Sequence, residues 1–301
     1  MSGDIPAVPH RSGFVALAGR PNVGKSTLFN RLVGARVAIT SPVPQTTRTV
    51  ARGILTRPDA QVVFLDTPGL HAPRHRLGAW MVEQARRVLD EVDLIAWIVD
   101  AAAGVRDDDR LAARALRAAA KPVVLVVNKV DAAAPAAVEA VAAEAGALVP
   151  VAVTCRLSAE QGLGVAEFLD VVLARLPEGP PYYPAVMVTD QPEQVLVGEL
   201  IREQIIRHTR DEVPHVVAVE VEEFVQRNDA AAYVRATVHV ERPSQKKIVI
   251  GRGGQRLKAI GTAARREIET LLGRPVYLDL WVTVTPGWRE KLAFIRGFYP
   301  G

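Results

Sequence analysis

The chain has 301 residues, 49% of them hydrophobic and 23% charged, with a formal net charge of +4. That length accommodates two cored domains, the mild basicity permits an anionic partner without requiring one, and the single cysteine, Cys155, excludes an intrachain disulfide or an all-cysteine metal cluster. So little cysteine suits a reducing cytoplasm; residues 1–11 lack the apolar core of a signal peptide and runs such as Leu94–Val99 fall short of a bilayer span, so neither export nor membrane insertion is expected.

After an extension over 1–12, short apolar runs alternate with amphipathic stretches. Strands are predicted at Phe14–Ala18, Val62–Leu65, Leu94–Val99, Val123–Val127 and Val149–Val153. Being apolar on both faces, they suit buried parallel strands. Helical patterns lie between and after them, at Lys25–Val33, Met81–Asp90, Asp108–Ala120, Pro135–Ala145 and Val165–Leu176. The alternation predicts an α/β domain over 13–176, its mostly parallel sheet covered by helices on both faces, with ligands bound beyond the carboxyl ends of the strands. Four prolines within 177–184 cannot continue a helix or a central strand, which places a linker there. Over 185–301 the periods change. A helix at Val195–His208, half-exposed strands around Val217–Glu222 and Tyr233–Val240, a helix at Gly254–Leu272 and a strand at Val276–Thr285 predict a small α+β module, completed by a C-terminal helix.

Gly19-Arg20-Pro21-Asn22-Val23-Gly24-Lys25-Ser26, with Thr27 next to it, follows the first strand and opens the first helix, the setting in which a Walker A loop wraps phosphates. Its glycines let backbone N–H groups approach the phosphates, Lys25 reaches the β- and γ-phosphates, and Ser26 can ligate Mg²⁺. Asp66-Thr67-Pro68-Gly69 ends the second predicted strand; Asp66 can hold Mg²⁺ through water and the Gly69 amide can bond the γ-phosphate. Asn128-Lys129-Val130-Asp131 closes the fourth. A buried Asp131 carboxylate would accept hydrogen bonds from the guanine N1–H and exocyclic amine, a pair adenine lacks. Ser158-Ala159 offers backbone amides to the guanine O6.

The order of these blocks resembles the translation-factor-like GTPases, which implies a GTP/GDP switch with slow intrinsic hydrolysis. By that resemblance Pro44-Gln45-Thr46-Thr47-Arg48 is the first switch, and Thr47 ligates Mg²⁺ in the GTP state, with Thr46 the near alternative. Leu70 stands where Ras-like enzymes carry the glutamine that orients water, and leucine cannot do so. The chain is similar instead to the subfamily in which a P-loop asparagine, here Asn22, helps hold K⁺ near the phosphates. The catalytic set is then Asn22, Lys25, Thr47 and Gly69.

In the second domain, Gly251-Arg252-Gly253-Gly254 enters a helix, as the Gly-x-x-Gly loop of KH domains does when nucleic-acid backbone passes close to the peptide. From Arg242 to Arg266 there are eight basic residues and no Asp or Glu, the concentration that phosphate neutralisation requires. Lys246, Lys247, Gly251, Arg252, Gly253, Gly254, Arg256 and Lys258 are the candidate RNA contacts. With Asp66–His71, Gln245–Gly251 and Leu280-Trp281-Val282, the chain from Gly19 through Trp288 resembles the Era family of ribosome-assembly GTPases. The resemblance implies a P-loop G domain followed by a type II KH domain. It also implies binding of the 3′ end of small-subunit (16S) ribosomal RNA during subunit maturation, peripheral association with the inner membrane face, and a monomeric chain. GTP would order Thr47 and Gly69 and thereby change RNA affinity. An ATPase and a constitutive RNA-binding scaffold are the rival readings; Asp131 argues against the first, and hydrolysis with and without RNA separates the second.

Overall fold

A computed structural model describes residues 9–227 and 231–299; residues 1–8 of the expected extension lie outside it. The chain forms two compact units. Met1–Ala38, Thr47–Ala72 and Met81–Asp190 make the first, and Ile39–Thr46, Pro73–Trp80 and Gln191–Gly301 the second.

The first unit holds β1 (Arg11–Ala18), α1 (Lys25–Val33), β2 (Ala51–Arg57), β3 (Ala60–Asp66), most of α2 (Arg76–Glu91), β4 (Leu94–Asp100), α3 (Asp107–Ala119), β5 (Val123–Asn128), α4 (Pro135–Gly146), β6 (Val153–Arg156) and α5 (Val165–Leu173). Its sheet runs β2-β3-β1-β4-β5-β6. All neighbours are parallel except β2, which is antiparallel to β3. Ala16, Ala18, Ile95, Trp97 and Val99 share one core with residues of α2, α3 and α4. The intervening Val15, Leu17 and Ile98 are also fully buried, so both sheet faces are covered, as the doubly apolar runs require. Strand order reverses around β1, which puts the carboxyl ends of β1, β3, β4 and β5 along one edge at the switch point where such sheets bind ligands.

Three features depart from the sequence expectation. Strand β2 was not anticipated: its alternation is obscured by Arg52, Thr56 and Arg57, which an edge strand can leave partly in solvent. Strand β6 begins at Val153 rather than Val149, after Pro150, which cannot donate to a ladder. The proline-rich segment is held by the first unit rather than hanging free. Ser12 N–H donates to Pro177 O, Tyr182 and Tyr183 N–H donate to Gln61 Oε1, and Ile54 N–H donates to Val188 O. The boundary between the units falls after Asp190, beyond the expected linker.

The second unit contains α6 (Glu193–His208), α7 (Val213–Val216), β7 (Ala218–Arg227), β8 (Ala231–Val240), α8 (Pro243–Ile250), α9 (Gln255–Leu272), β9 (Val276–Val284) and α10 (Leu292–Phe298). Its sheet is ordered β7-β8-β9, with β8 antiparallel to β7 and parallel to β9. Val234, Ala236, Val238 and Val240, every second residue of β8, meet Ile201 and Ile205 of α6 and Ile260, Ala264 and Ile268 of α9 in one core. Helix α8 was not expected. Pro243 supplies its first turn, where no N–H is needed, and it ends at Gly251, whose φ of 74° a side chain would strain. Gly-x-x-Gly is therefore the hinge of a helix–loop–helix, the α+β arrangement of a KH module.

Candidate functional site

The loop between β1 and α1 is shaped by close approaches. A Cβ on Gly19 would lie 2.3 Å from Ile98 O, one on Gly24 would lie 2.2 Å from Asn128 Nδ2, and one on Gly69 would lie 2.6 Å from Pro21 N. Asn22 has φ 64°, which asparagine tolerates better than most residues. Lys25 Nζ donates to Gly19 O (3.2 Å) and Arg20 O (2.8 Å), holding the ammonium across the loop mouth. Burial pushes the Lys25 pKa down to about 8, partly offset by the Asp66 carboxylate.

Ser26, Thr47 and Asp66 converge although they come from α1, the first switch and the end of β3. Ser26 Oγ donates to Asp66 Oδ2 (2.6 Å), and Thr47 Oγ1 lies 2.8 Å from Ser26 Oγ and 3.4 Å from Asp66 Oδ2. Burial raises the Asp66 pKa to about 6 against the Lys25 charge and these two hydroxyls. Asp66 Oδ1 is buried without a hydrogen-bond partner. An all-oxygen donor set with an unsatisfied carboxylate oxygen fits Mg²⁺. Thr46 turns its hydroxyl to Val43 O (2.7 Å), and its carbonyl accepts from the buried Arg202 within the second unit. Thr67 Oγ1 donates to Leu17 O (2.8 Å), fixing the turn that carries Pro68 and Gly69. Leu70 N–H donates to Gly19 O (3.0 Å), while its side chain sits in the core, where it meets no water.

At the other end, Asn128 Nδ2 donates to Val23 O (2.7 Å) and its Oδ1 accepts from Ala159 N–H (2.9 Å), tying three loops together. Two expectations need correction here. Asp131 is exposed rather than buried, because it sits on the short turn Val130–Ala132 past the strand end; Gln161 Nε2 approaches it at 3.4 Å. A base stacked over that turn would supply the desolvation that the chain alone does not. The Ser158 and Ala159 amides are already engaged, by Leu163 O and Asn128 Oδ1, so neither is spare for a base oxygen without sharing.

The sequence reading missed Asp100 and Asp109. Lys129 Nζ donates to Asp100 Oδ2 (2.7 Å) and to Asn22 O (2.9 Å); Arg20 Nε donates to the fully buried Asp109 (2.9 Å) and its guanidinium lies 3.8 Å from Asp100. Asp100 thus joins the phosphate loop to the base loop. An aspartate ending a strand was its only sequence signal.

In the second unit, Gly253 and Gly254 have φ 58° and 79°, and a Cβ at either would meet nothing within 4 Å. Their requirement is conformational, and the space beside them is open. Gly251 is different: a Cβ there would press on Arg256 at 2.7 Å. Arg256 donates to Ile248 O (2.6 Å), bracing the loop, while Lys247, Arg252 and Lys258 are exposed and Lys246 is half-buried.

Residues 14–129 match the family described as 50S ribosome-binding GTPase and residues 212–289 match the KH domain. The chain is 48% identical over 290 residues to GTPase Era of Carboxydothermus hydrogenoformans (strain ATCC BAA-161 / DSM 6008 / Z-2901), covering 96% of this chain and 97% of that protein. It belongs to the Era family of GTPases. The solved structures agree. An Aquifex aeolicus Era variant bound to GDP.AlF4- is 40% identical with a TM-score of 0.91, covering 96% of this chain and 98% of that one. Era in complex with MgGDPNP and nucleotides 1506–1542 of 16S ribosomal RNA is 41% identical with a TM-score of 0.92, at the same coverage. This Era-family chain is therefore a GTP-hydrolysing enzyme joined to a KH domain, and the α/β and α+β units are those two parts.

Proposed function

We propose that this GTPase binds the 3′ end of small-subunit ribosomal RNA through its KH unit, more tightly with GTP than with GDP, and so assists small-subunit maturation. The observation that carries this is the exposed basic Gly-x-x-Gly loop in a chain that matches, over nearly its whole length, an Era bound to MgGDPNP and 16S nucleotides. Crosslinking to cellular RNA in each nucleotide state tests it. Recovery of the 3′-terminal fragment with a GTP analogue is expected, and unselected RNA in both states contradicts the reading.

In hydrolysis a water attacks the γ-phosphorus as the bond to GDP breaks. Lys25, still cationic at neutral pH, neutralises charge on the transferred group, and the Gly69 amide orients it. Ser26 and Thr47 would hold Mg²⁺ directly and Asp66 through water. The ion, when bound, neutralises the β- and γ-phosphate oxygens. Thr47 rather than Thr46 fits this role, since its hydroxyl faces Ser26 and Asp66. With Leu70 turned into the core, no side chain from that position orients the water. Asn22 would help hold K⁺, which when bound would supply charge stabilisation instead; equal hydrolysis in matched NaCl and KCl would remove the potassium part.

The cell location follows from the same reading. The chain works as a monomer in the cytoplasm, with a fraction held peripherally at the inner membrane face, consistent with one cysteine and no described helix long and apolar enough to cross a membrane. Sedimentation of purified protein tests the monomer. Fractionation tests the location: a peripheral pool should sediment with membranes in low salt and wash off in high salt, and its absence from the low-salt membrane fraction would contradict this part.

A further inference from the structure

The KH sheet has one face under α6 and α9 and another that those helices leave uncovered. On the uncovered face the strand register lines side chains in rows: Val225–Tyr233–Tyr277, then Glu223–Arg235–Asp279, then Glu220–Thr237–Trp281. At the far end His239 packs against Phe298 of α10, with ring centroids 4.6 Å apart, so that end is covered. The opposite end is open. Tyr277 is 71% and Trp281 61% exposed, on the edge strand β9. Tyr277 also stacks on Tyr233, with centroids 6.0 Å apart. A fold seldom leaves a tyrosine and a tryptophan this bare on one face of a strand without a use for the surface.

The charges decide what fits. Among the described side chains the face carries Glu220, Glu222, Glu223 and Asp279 against one guanidinium, Arg235, which is committed to Glu222 (3.2 Å) and Glu223 (3.4 Å), while Glu220 pairs with His239 (3.1 Å). Asp279 stands between the two exposed aromatics at alternate positions of one strand, and its carboxylate accepts from Trp281 Nε1 (3.1 Å). An aromatic–carboxylate–aromatic ladder binds cations: the ring faces attract a guanidinium or ammonium and the carboxylate pairs with it. The same surface repels phosphate. It is therefore the chemical opposite of the 242–266 segment, with its eight basic and no acidic residues.

We propose that this face docks an arginine- and lysine-rich polypeptide segment of a partner protein. The unit then carries two recognition surfaces, one for a polyanion and one for a polycation, and the second does not depend on which RNA the first binds.

Trp281 reports on its own surface, since Trp97 and Trp288 are fully buried and Trp80 nearly so. The test titrates the full-length protein with a peptide of alternating arginine and alanine, following acrylamide quenching of tryptophan fluorescence. Saturable shielding of Trp281 is expected. Tyr277→Ala and Asp279→Asn should each weaken binding by about fivefold, the scale of one exposed cation–π or ion-pair contact. Trp281→Ala should do the same when binding is followed by anisotropy of a labelled peptide, and Lys258→Ala should leave it unchanged. Folding of the variants is checked by unchanged far-ultraviolet circular dichroism and an unchanged thermal unfolding midpoint. The proposal is overturned if the peptide binds the wild type and Asp279→Asn equally or not at all. It is likewise overturned if Trp281 is shielded by an RNA oligonucleotide, or by raising the protein concentration alone.

Discussion

The hydroxyl oxygens of Ser26 and Thr47 lie 2.8 Å apart, and both approach the same oxygen of Asp66. A serine fixed at the start of α1 and a threonine on a switch thus share one carboxylate. Thr46, the adjacent residue, bonds Val43 instead. Thr47→Ala should therefore weaken a GTP analogue selectively over GDP and slow hydrolysis by on the order of 100-fold, the scale of losing one transition-state ligand or donor. Thr46→Ala should change both by less than about threefold, because its buried hydroxyl bonds Val43 O and reaches neither Ser26 nor Asp66, so its loss falls on stability instead. Nucleotide titrations and single-turnover hydrolysis of the two variants check this ordering.

Asp66 gives the nucleotide-free protein a specific pH response. Its pKa rises on folding from 3.8 to about 6. A raised carboxyl pKa stabilises the folded state below pH 3.8, and that contribution is lost as pH climbs through 6. The full effect is about 3 kcal/mol, at about 1.4 kcal/mol per pH unit. Lys25, lowered from 10.5 to about 8, contributes stability above 10.5 that is lost as pH falls through 8. Between 6 and 8 both charges are buried at their full cost. Urea unfolding in EDTA should show wild type losing stability relative to Asp66→Asn between pH 4 and 6.5. A pH-independent difference would contradict it.

Asp100 is predicted to position Lys129 and Arg20 rather than touch nucleotide. Asp100→Ala leaves Lys129 without its carboxylate partner, while Arg20 keeps Asp109; breaking a fully buried pair costs about 3–5 kcal/mol, and the cost is less here because Lys129 is partly exposed. GTP and GDP affinity should fall together, by at least about tenfold, the factor that corresponds to 1.4 kcal/mol. Asp100→Asn, which keeps an acceptor, should recover part of the loss. Calorimetric titration of both variants measures it.

Much of this site was legible because its parts are local in sequence: the glycines, lysine and serine of the phosphate loop are eight consecutive residues between one strand and one helix. The unexpected parts depend on distant partners. Asp100 acquires meaning from Lys129 and Arg20, which only the sheet brings to it. Strand β2 owes its place to pairing with β3 rather than to its own pattern. Helix α8 is too short and too polar over Ser244–Lys247 to show a clear period, and the exposure of Asp131 follows from where β5 ends.

Asp131 should still select guanine once a base covers it. Asp131→Asn keeps one acceptor oxygen but presents an amide donor where guanine offers only donors, so GTP affinity should fall by on the order of 100-fold while ATP affinity remains weak. Competition between GTP and ATP for wild type and variant decides this, and an unchanged preference would contradict the assignment.

The most direct test of the proposed function is RNA affinity in two nucleotide states. Filter binding of a 3′-terminal small-subunit rRNA oligonucleotide should be at least about fivefold tighter with a non-hydrolysable GTP analogue than with GDP, the lower end of typical allosteric coupling. The RNA should in turn tighten the analogue by the same factor. Equal affinity in the two states would contradict the account, even if hydrolysis and RNA binding each persisted alone.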